Sequence, residues 1–437
     1  MKTKVFFSLV LLFCNLNAKS NIPAIKINSY NIITNVTDTS MNVNVTLSFS
    51  KLSDKALDQI DFLFSSKANV DSVKYWFGNE WISTSYKSGR KNSIIVYLPK
   101  YICETDNCKL MFVYSYPIEL QKDSVLLLDR GHRWYPLILN QIFKYKLTTY
   151  IQRGYQVLSS GNLIEEIQTD KRSVFTWESK KPVFKLPLIV FNPSLYNKTQ
   201  LSSQNWDLVS YSLKQDTTNI RKLLKQIDST MNYYSKTLGS YSYKKLTLFE
   251  TKEFRGINVG SGLLTIGKES LDMINKGYKD LMILTVAQQW FGASVFADFN
   301  KPGFFFLVFS LPHFLRLMYV NQSEGEKAFN KSIQRDMNRY RDFAGTEKDI
   351  PIINIDKPNT KEKSIILYAK GPWILSKIQE QMGEENWITF LKDLYTSSRG
   401  KVITFKTFTN YLTKNDKTGN AAKLLLKLVN EKGISGK

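Results

Sequence analysis

The chain has 437 residues, long enough for two or more domains with their own cores. Its 43% hydrophobic and 22% charged residues are ordinary for a globular protein, which excludes a fibrous or disordered chain. Against 38 Asp and Glu stand 60 Lys and Arg, a formal net charge of +22, but the basic residues are scattered among acids and no nucleic-acid motif appears. A basic secreted protein is therefore favoured over a nucleic-acid binder, and no segment of the sequence supports a peripheral membrane contact.

The first predicted element, 1–18, reads as a signal peptide. Lys2 and Lys4 form its positive start, 5–13 its short apolar core, and Asn17-Ala18 a small-residue cleavage site. Cleavage would leave the protein secreted or periplasmic. The alternative, a lipid anchor at Cys14, has Phe13 against it, because that processing wants a small residue before the cysteine. Beyond the signal only Cys103 and Cys108 remain, in CETDNC. In an oxidising compartment they could close a small disulfide loop; otherwise they are two free thiols.

From 21 to 200 the chain predicts an all-β domain. MNVNVTLS over 41–48 alternates with period two, and 93–98, 110–116, 143–150, 155–158, 173–177 and 184–191 are further β-rich runs. The polar stretch 192–206, with Pro193, reads as a linker. The period then changes. Ile220, Leu223, Leu224, Ile227, Met231 and Tyr234 recur at helical spacing over 217–237, and Gly239 ends that helix. Strands at 245–250 and 263–266 precede helices at 279–295, 325–343, 371–382 and 386–395. The region 207–437 is thus an α+β, mostly helical domain.

Several segments resemble the alanyl aminopeptidase family of gluzincin metallopeptidases, which includes aminopeptidase N and leukotriene A hydrolase. Arg133-Trp134-Tyr135-Pro136 is similar to the family's WYP segment, and GYQVLSSG over 154–161 to the strand and turn after it. Phe175-Thr176-Trp177-Glu178 resembles the strand that closes the β domain. TLGSYSY over 237–243 is similar to the FGxYPY entry, Gln289-Trp290-Phe291-Gly292 to the tail of HExxHQWFG, and Tyr368-Ala369-Lys370-Gly371 to the YxKG segment. The resemblance implies an N-terminal β-sandwich or saddle joined to a thermolysin-like catalytic domain.

The family's chemistry needs two zinc-binding His at i and i+4 of one helix, a Glu after the first as general base, and a third ligand Glu further on. Counted back from Gln289, the His positions fall on Leu284 and Gln288, the base on Thr285 and the third ligand on Leu307. Leu has no donor atom, a Gln amide is a weak ligand, and a Thr hydroxyl is not a base at neutral pH. Between Asp280 and Asp298 there is neither an acid nor a His, so shifting the frame restores nothing. The Glu that would hold a peptide's α-ammonium falls on Val259, in GINVGSG over 256–262. Tyr368, matching the family's oxyanion-stabilising Tyr, reads as a packing residue once no metal is bound.

His132 and His313, the only two histidines, sit in GHRWYP and LPHFL and read as structural. The expectation is a pseudopeptidase without catalytic, substrate-anchoring or metal residues, Thr285, Tyr368, Val259, Leu284, Gln288 and Leu307 being vestigial positions. It would need no cofactor and would bind a peptide or protein ligand in the inter-domain cleft. The rival expectation is an active aminopeptidase, in which case zinc is the cofactor.

Overall fold

The computed structural model describes residues 25–52, 57–89, 92–99, 108–213 and 217–434. The signal-peptide reading, Cys14 and Cys103 lie outside them. Cys108 is buried on the strand Cys108–Pro117, opposite Phe49.

A mostly β N-terminal region precedes a mostly helical one. The N-terminal region is dominated by an eight-stranded sheet. Its spatial order is Asn162–Gln168, Arg172–Val183, Phe143–Gln152, Ile25–Val36, Ser40–Lys51, Cys108–Pro117, Asn69–Phe77 and Glu80–Ser83. Period-two patterning builds it. Met41, Val43, Val45, Leu47 and Phe49 are each 3% exposed or less, while the residues between them face outward. Within this sheet Ile25–Val36 runs parallel to Phe143–Gln152, and the buried Thr34 hydroxyl donates to that of Thr149 across the pair at 3.0 Å. The WYP segment is packing material. Trp134 and Tyr135 are fully buried, Tyr114 donates to the Trp134 carbonyl at 2.6 Å, and Tyr30 donates to the Pro136 carbonyl at 2.8 Å.

A five-stranded sheet follows, in the order Tyr196–Ser202, Asp207–Leu213, Lys245–Thr251, Leu263–Gly267 and Ile257–Gly260. Its first strand lies inside the stretch whose composition predicts a linker. YNKTQLS is polar, but Tyr196 and Thr199 are buried and the strand pairs antiparallel with Asp207–Leu213. A polar edge strand and a linker look alike in sequence because the edge needs few apolar side chains.

The three central strands of this sheet run parallel and are buried on both faces. Leu208, Leu246, Leu248 and Leu264 face the helical core, whereas Val209, Tyr211, Phe249 and Leu263 join the core of the β region. The sheet is therefore the shared wall of two hydrophobic cores.

The helices Thr217–Leu238, Glu326–Arg341, Gly371–Met382 and Glu384–Ser398 lie near their predicted places. The helix predicted over 279–295 is shorter, Lys279–Ala287. Gly292, at φ 141°, turns the chain so that its N–H reaches the Val295 carbonyl at 2.8 Å, and the rest of the stretch becomes turn. Leu311–Glu324, Phe405–Asn415 and Asn420–Asn430 are helices that the periodicity leaves out.

Candidate functional site

The helix Lys279–Ala287 is buried on every side from Met282 to Ala287, so it runs through the core. Leu284 is 4% exposed and packs in that core. Thr285 is fully buried, and its hydroxyl donates to the Leu281 carbonyl one turn back at 2.7 Å. Gln288 caps the helix C-terminus, donating its backbone N–H to the Leu284 carbonyl at 3.1 Å.

Gln289 follows, fully buried, with both ends of its amide hydrogen-bonded. Its Oε1 accepts from the Tyr241 hydroxyl at 3.0 Å and the Gly262 N–H at 3.2 Å, and its Nε2 donates to the Gly260 carbonyl at 2.9 Å. The Trp290 indole donates to the Gly239 carbonyl at 2.9 Å. The QWFG segment thus ties the helix end to the Ile257–Gly260 hairpin and to the TLGSYSY segment.

Leu307 lies in a π-helical turn, Phe306–Ser310, and is 3% exposed in the helical core. A second π turn, Ile366–Lys370, carries Tyr368. Such turns recur at functional sites, and here two of them face each other. The Ser310 hydroxyl donates to the Leu367 carbonyl at 2.7 Å. The Tyr368 ring meets Phe309 and His313 edge-on at 5.6 and 5.4 Å, and burial pushes its phenol pKa up.

Of the vestigial positions, the structure brings Val259 and Gln288 to one small cavity of about 80 Å³, which Ile257, Phe304, Val308 and Phe309 also line. Leu284 and Leu307 are not in its lining. The residues present do not fit a zinc ion. Leu284 and Leu307 carry no donor atom, and the Thr285 hydroxyl is committed to its own helix. Asp280, the acid on that helix, pairs with the buried Arg316 at 2.6 Å. Among the described residues no group of three or more His, Cys, Asp or Glu is placed to hold a metal.

The histidines lie apart. His313 is 2% exposed, with Nε2 3.1 Å from Arg316 Nη2 and 3.5 Å from Asp336 Oδ2; burial first, then the Arg316 charge, pushes its pKa down to about 4. His132 is exposed, and its Nδ1 lies 2.9 Å from Asp129 Oδ1.

A much larger cavity of about 1200 Å³ opens where the β region meets the second sheet, and sequence reasoning missed its polar residues. Phe184, Lys185 and Asn258 line both cavities. Lys185 donates to Asn258 Oδ1 at 2.6 Å and to the Val259 carbonyl at 3.3 Å. Asn258 in turn donates to Asp129 Oδ2 at 3.2 Å. Burial pulls the Lys185 pKa down to about 8, against the opposing pull of Asp129. An ammonium of the chain itself therefore sits on the strand where the resemblance puts the anchor for a peptide's amino terminus.

No protein-family model matches the chain, and no curated protein matches it in sequence. Its fold is similar to that of an M1 zinc metallopeptidase from Deinococcus radiodurans, at 13% identity and TM-score 0.73, covering 95% of this chain and 95% of that one. A mutant of a two-domain M1 zinc metallopeptidase bound to L-arginine gives 14% identity and TM-score 0.74, covering 94% of this chain and 96% of that one. A mutant of the Deinococcus radiodurans enzyme bound to a Tyr-Ser-Ala substrate gives 14% and 0.72 over the same shares. At these identities the likeness is one of fold.

Proposed function

We propose that this chain, built on the two-domain fold of the M1 zinc metallopeptidases, is a pseudopeptidase that binds a peptide or protein segment in its inter-domain cleft and does not cleave it. The observation that carries the reading is the commitment of the Thr285 hydroxyl to the Leu281 carbonyl, between the core residues Leu284 and Val286. The resemblance puts zinc chemistry on this stretch of helix, and the stretch is built as core. Unmetallated His and Glu at such buried places would leave polar groups without partners, at about 1–3 kcal/mol each. Apolar residues remove that cost, as expected where catalysis is no longer selected.

Lys185 adds to this reading. A peptide's α-ammonium placed beside Val259 would face another ammonium, and no carboxylate is offered at that position. We further propose that the protein acts outside the cytoplasm after removal of 1–18, with the lipid anchor at Cys14 as the alternative.

Metal content by mass spectrometry and aminoacyl-arylamide hydrolysis, with and without added zinc or cobalt, test the proposal together. The expected result is substoichiometric metal and no chelator-sensitive turnover. Stoichiometric zinc with turnover would instead establish the active aminopeptidase.

A further inference from the structure

The eight-stranded sheet has a second face, turned away from the core of the β region. Four adjacent strands, Phe143–Gln152, Ile25–Val36, Ser40–Lys51 and Cys108–Pro117, contain no Asp, Glu or Arg. Their pairing sets lysines on the outer face in two rows. In one row Lys144 stands beside Ser29, Ser29 beside Ser48, and Ser48 beside Lys109. In the next, Lys146 stands beside Asn31, Asn31 beside Thr46, Thr46 beside Met111, and Met111 beside Lys74 of the strand Asn69–Phe77. With strands about 4.8 Å apart, this second row is about 20 Å long. Among the described residues none of these four lysines makes an ion pair, and Lys109 lies 5.7 Å from the centre of the Trp76 ring. The acid opposite Lys146 on the flanking strand, Glu178, pairs with Lys180 at 3.8 Å.

The rest of the face is made of short polar side chains. Asn35 stands opposite Asn42, and Asn31 and Asn44 lie in the neighbouring rows. None of these four asparagines is buried, and no hydrogen bond among the described residues uses their amides. Ile33 and Tyr150 are diagonal neighbours there, 43% and 37% exposed. Lysine ammoniums on flexible stems meet anions spread along a chain without a fixed orientation, whereas phosphates of nucleic acids favour the Arg fork, which these strands lack. Uncommitted amides suit the hydroxyl groups of sugars, and a Tyr ring beside an Ile gives apolar footing to the C–H face of a sugar ring. Each of the four strands is hydrogen-bonded on both sides, so the face offers no edge to an extended peptide. We propose that this face binds a linear acidic polysaccharide, with its carboxylates or sulfates on the lysine rows and its sugar rings over the Asn side chains and Tyr150. None of these residues lines either cavity, so the site is independent of the peptide cleft and leaves it free for its own ligand.

The test measures binding of the full mature chain to polygalacturonate, heparin, neutral dextran, duplex DNA, and phosphatidylcholine vesicles with and without phosphatidylserine. Polygalacturonate, heparin or both should bind, more weakly as salt rises, and dextran should not. A net charge of +22 favours any polyanion, so the comparison is between two quadruple variants of equal charge. Lys74→Gln, Lys109→Gln, Lys144→Gln and Lys146→Gln together should weaken polysaccharide binding about tenfold or more, and Lys225→Gln, Lys392→Gln, Lys406→Gln and Lys423→Gln together about twofold or less. Asn31→Ala with Asn44→Ala, which leaves charge unchanged, should weaken it about threefold or more. A thermal melt on each variant separates lost binding from lost fold. Preference for polygalacturonate or for heparin supports the proposal and names the anion. Equal loss in the two quadruple variants overturns it, since net charge alone would then explain the binding. DNA or phosphatidylserine vesicles binding as tightly, with the same sensitivity to the face variants, overturns the polysaccharide assignment. Absence of binding to both acidic polysaccharides overturns it as well, and none of these results bears on the peptide cleft.

Discussion

The ammonium of Lys185 lies 3.3 Å from the carbonyl oxygen of Val259, and the two come from different parts of the fold. Lys185 enters from the last segment of the β region, Val259 from the edge strand of the second sheet. The contact bridges the floor of the cleft and fixes its polarity.

Lys185 should titrate near 8, below the ordinary lysine range, because burial disfavours its charge. The sign follows. The folded state holds this proton less tightly than the unfolded chain, so the cost of charging is fully present below pH 8. It is relieved as pH rises from about 8 towards the unfolded lysine value near 10.4. Reductive ¹³C-methylation followed by NMR titration reads the value directly, and Lys185→Met identifies the resonance. A titration in the ordinary lysine range would refute this.

His313 gives a slope of the same sign at acid pH, stability again rising with pH. Its folded pKa of about 4 lies below its unfolded value, because burial and the Arg316 charge oppose protonation; Asp336, and Asp280 through Arg316, oppose them. The unfolded chain takes up a proton as pH falls below about 6.5 while the folded chain does not, so up to about 3 kcal/mol of stability is lost between 6.5 and 4. The difference in Tm between the native protein and His313→Asn should therefore shrink or reverse over that window. A constant difference would show that His313 does not carry the effect.

Gln289→Leu should destabilise by about 2–4 kcal/mol in denaturant titration. The substitution keeps the bulk but strands the Gly262 N–H, the Gly260 carbonyl and the Tyr241 hydroxyl in the interior. A change under about 0.5 kcal/mol would mean that these groups find other partners.

At Gly371 the two π turns meet. An added Cβ would lie 2.0 Å from Ser310 Oγ and 2.4 Å from its Cβ. Gly371→Ala should cost about 1–3 kcal/mol although alanine is the better helix former, and Ser310→Gly in the same chain should recover part of it. Stabilisation by Gly371→Ala alone would contradict this packing.

Rebuilding the zinc motif with Leu284→His, Thr285→Glu, Gln288→His and Leu307→Glu should lower stability and leave aminoacyl-arylamide turnover at background. The substitutions at Leu284, Thr285 and Leu307 put polar groups into a core that holds no partners for them, and Val259 still offers no carboxylate to an amino terminus. Turnover close to that of a working peptidase would overturn the assignment of Val259.

Much of this protein is legible in its sequence. The β runs before 191 and the helical spacing from Ile220 to Tyr234 announce two regions of different period, because burial on one face imposes period two on strands and about 3.6 on helices. The absence of His and acid between Asp280 and Asp298 is equally plain, since donor atoms are a matter of residue type. The short helix end at Ala287 and the edge strand Tyr196–Ser202 are less so, because a glycine turn and a polar edge depend on neighbours far along the chain. Only the tertiary structure decided the cleft. Lys185, Asn258, Asp129 and Arg130 share no periodicity and come from separate segments; two sheets packed on a common wall bring them together, and the desolvation that follows gives these otherwise unremarkable residues their charge pattern.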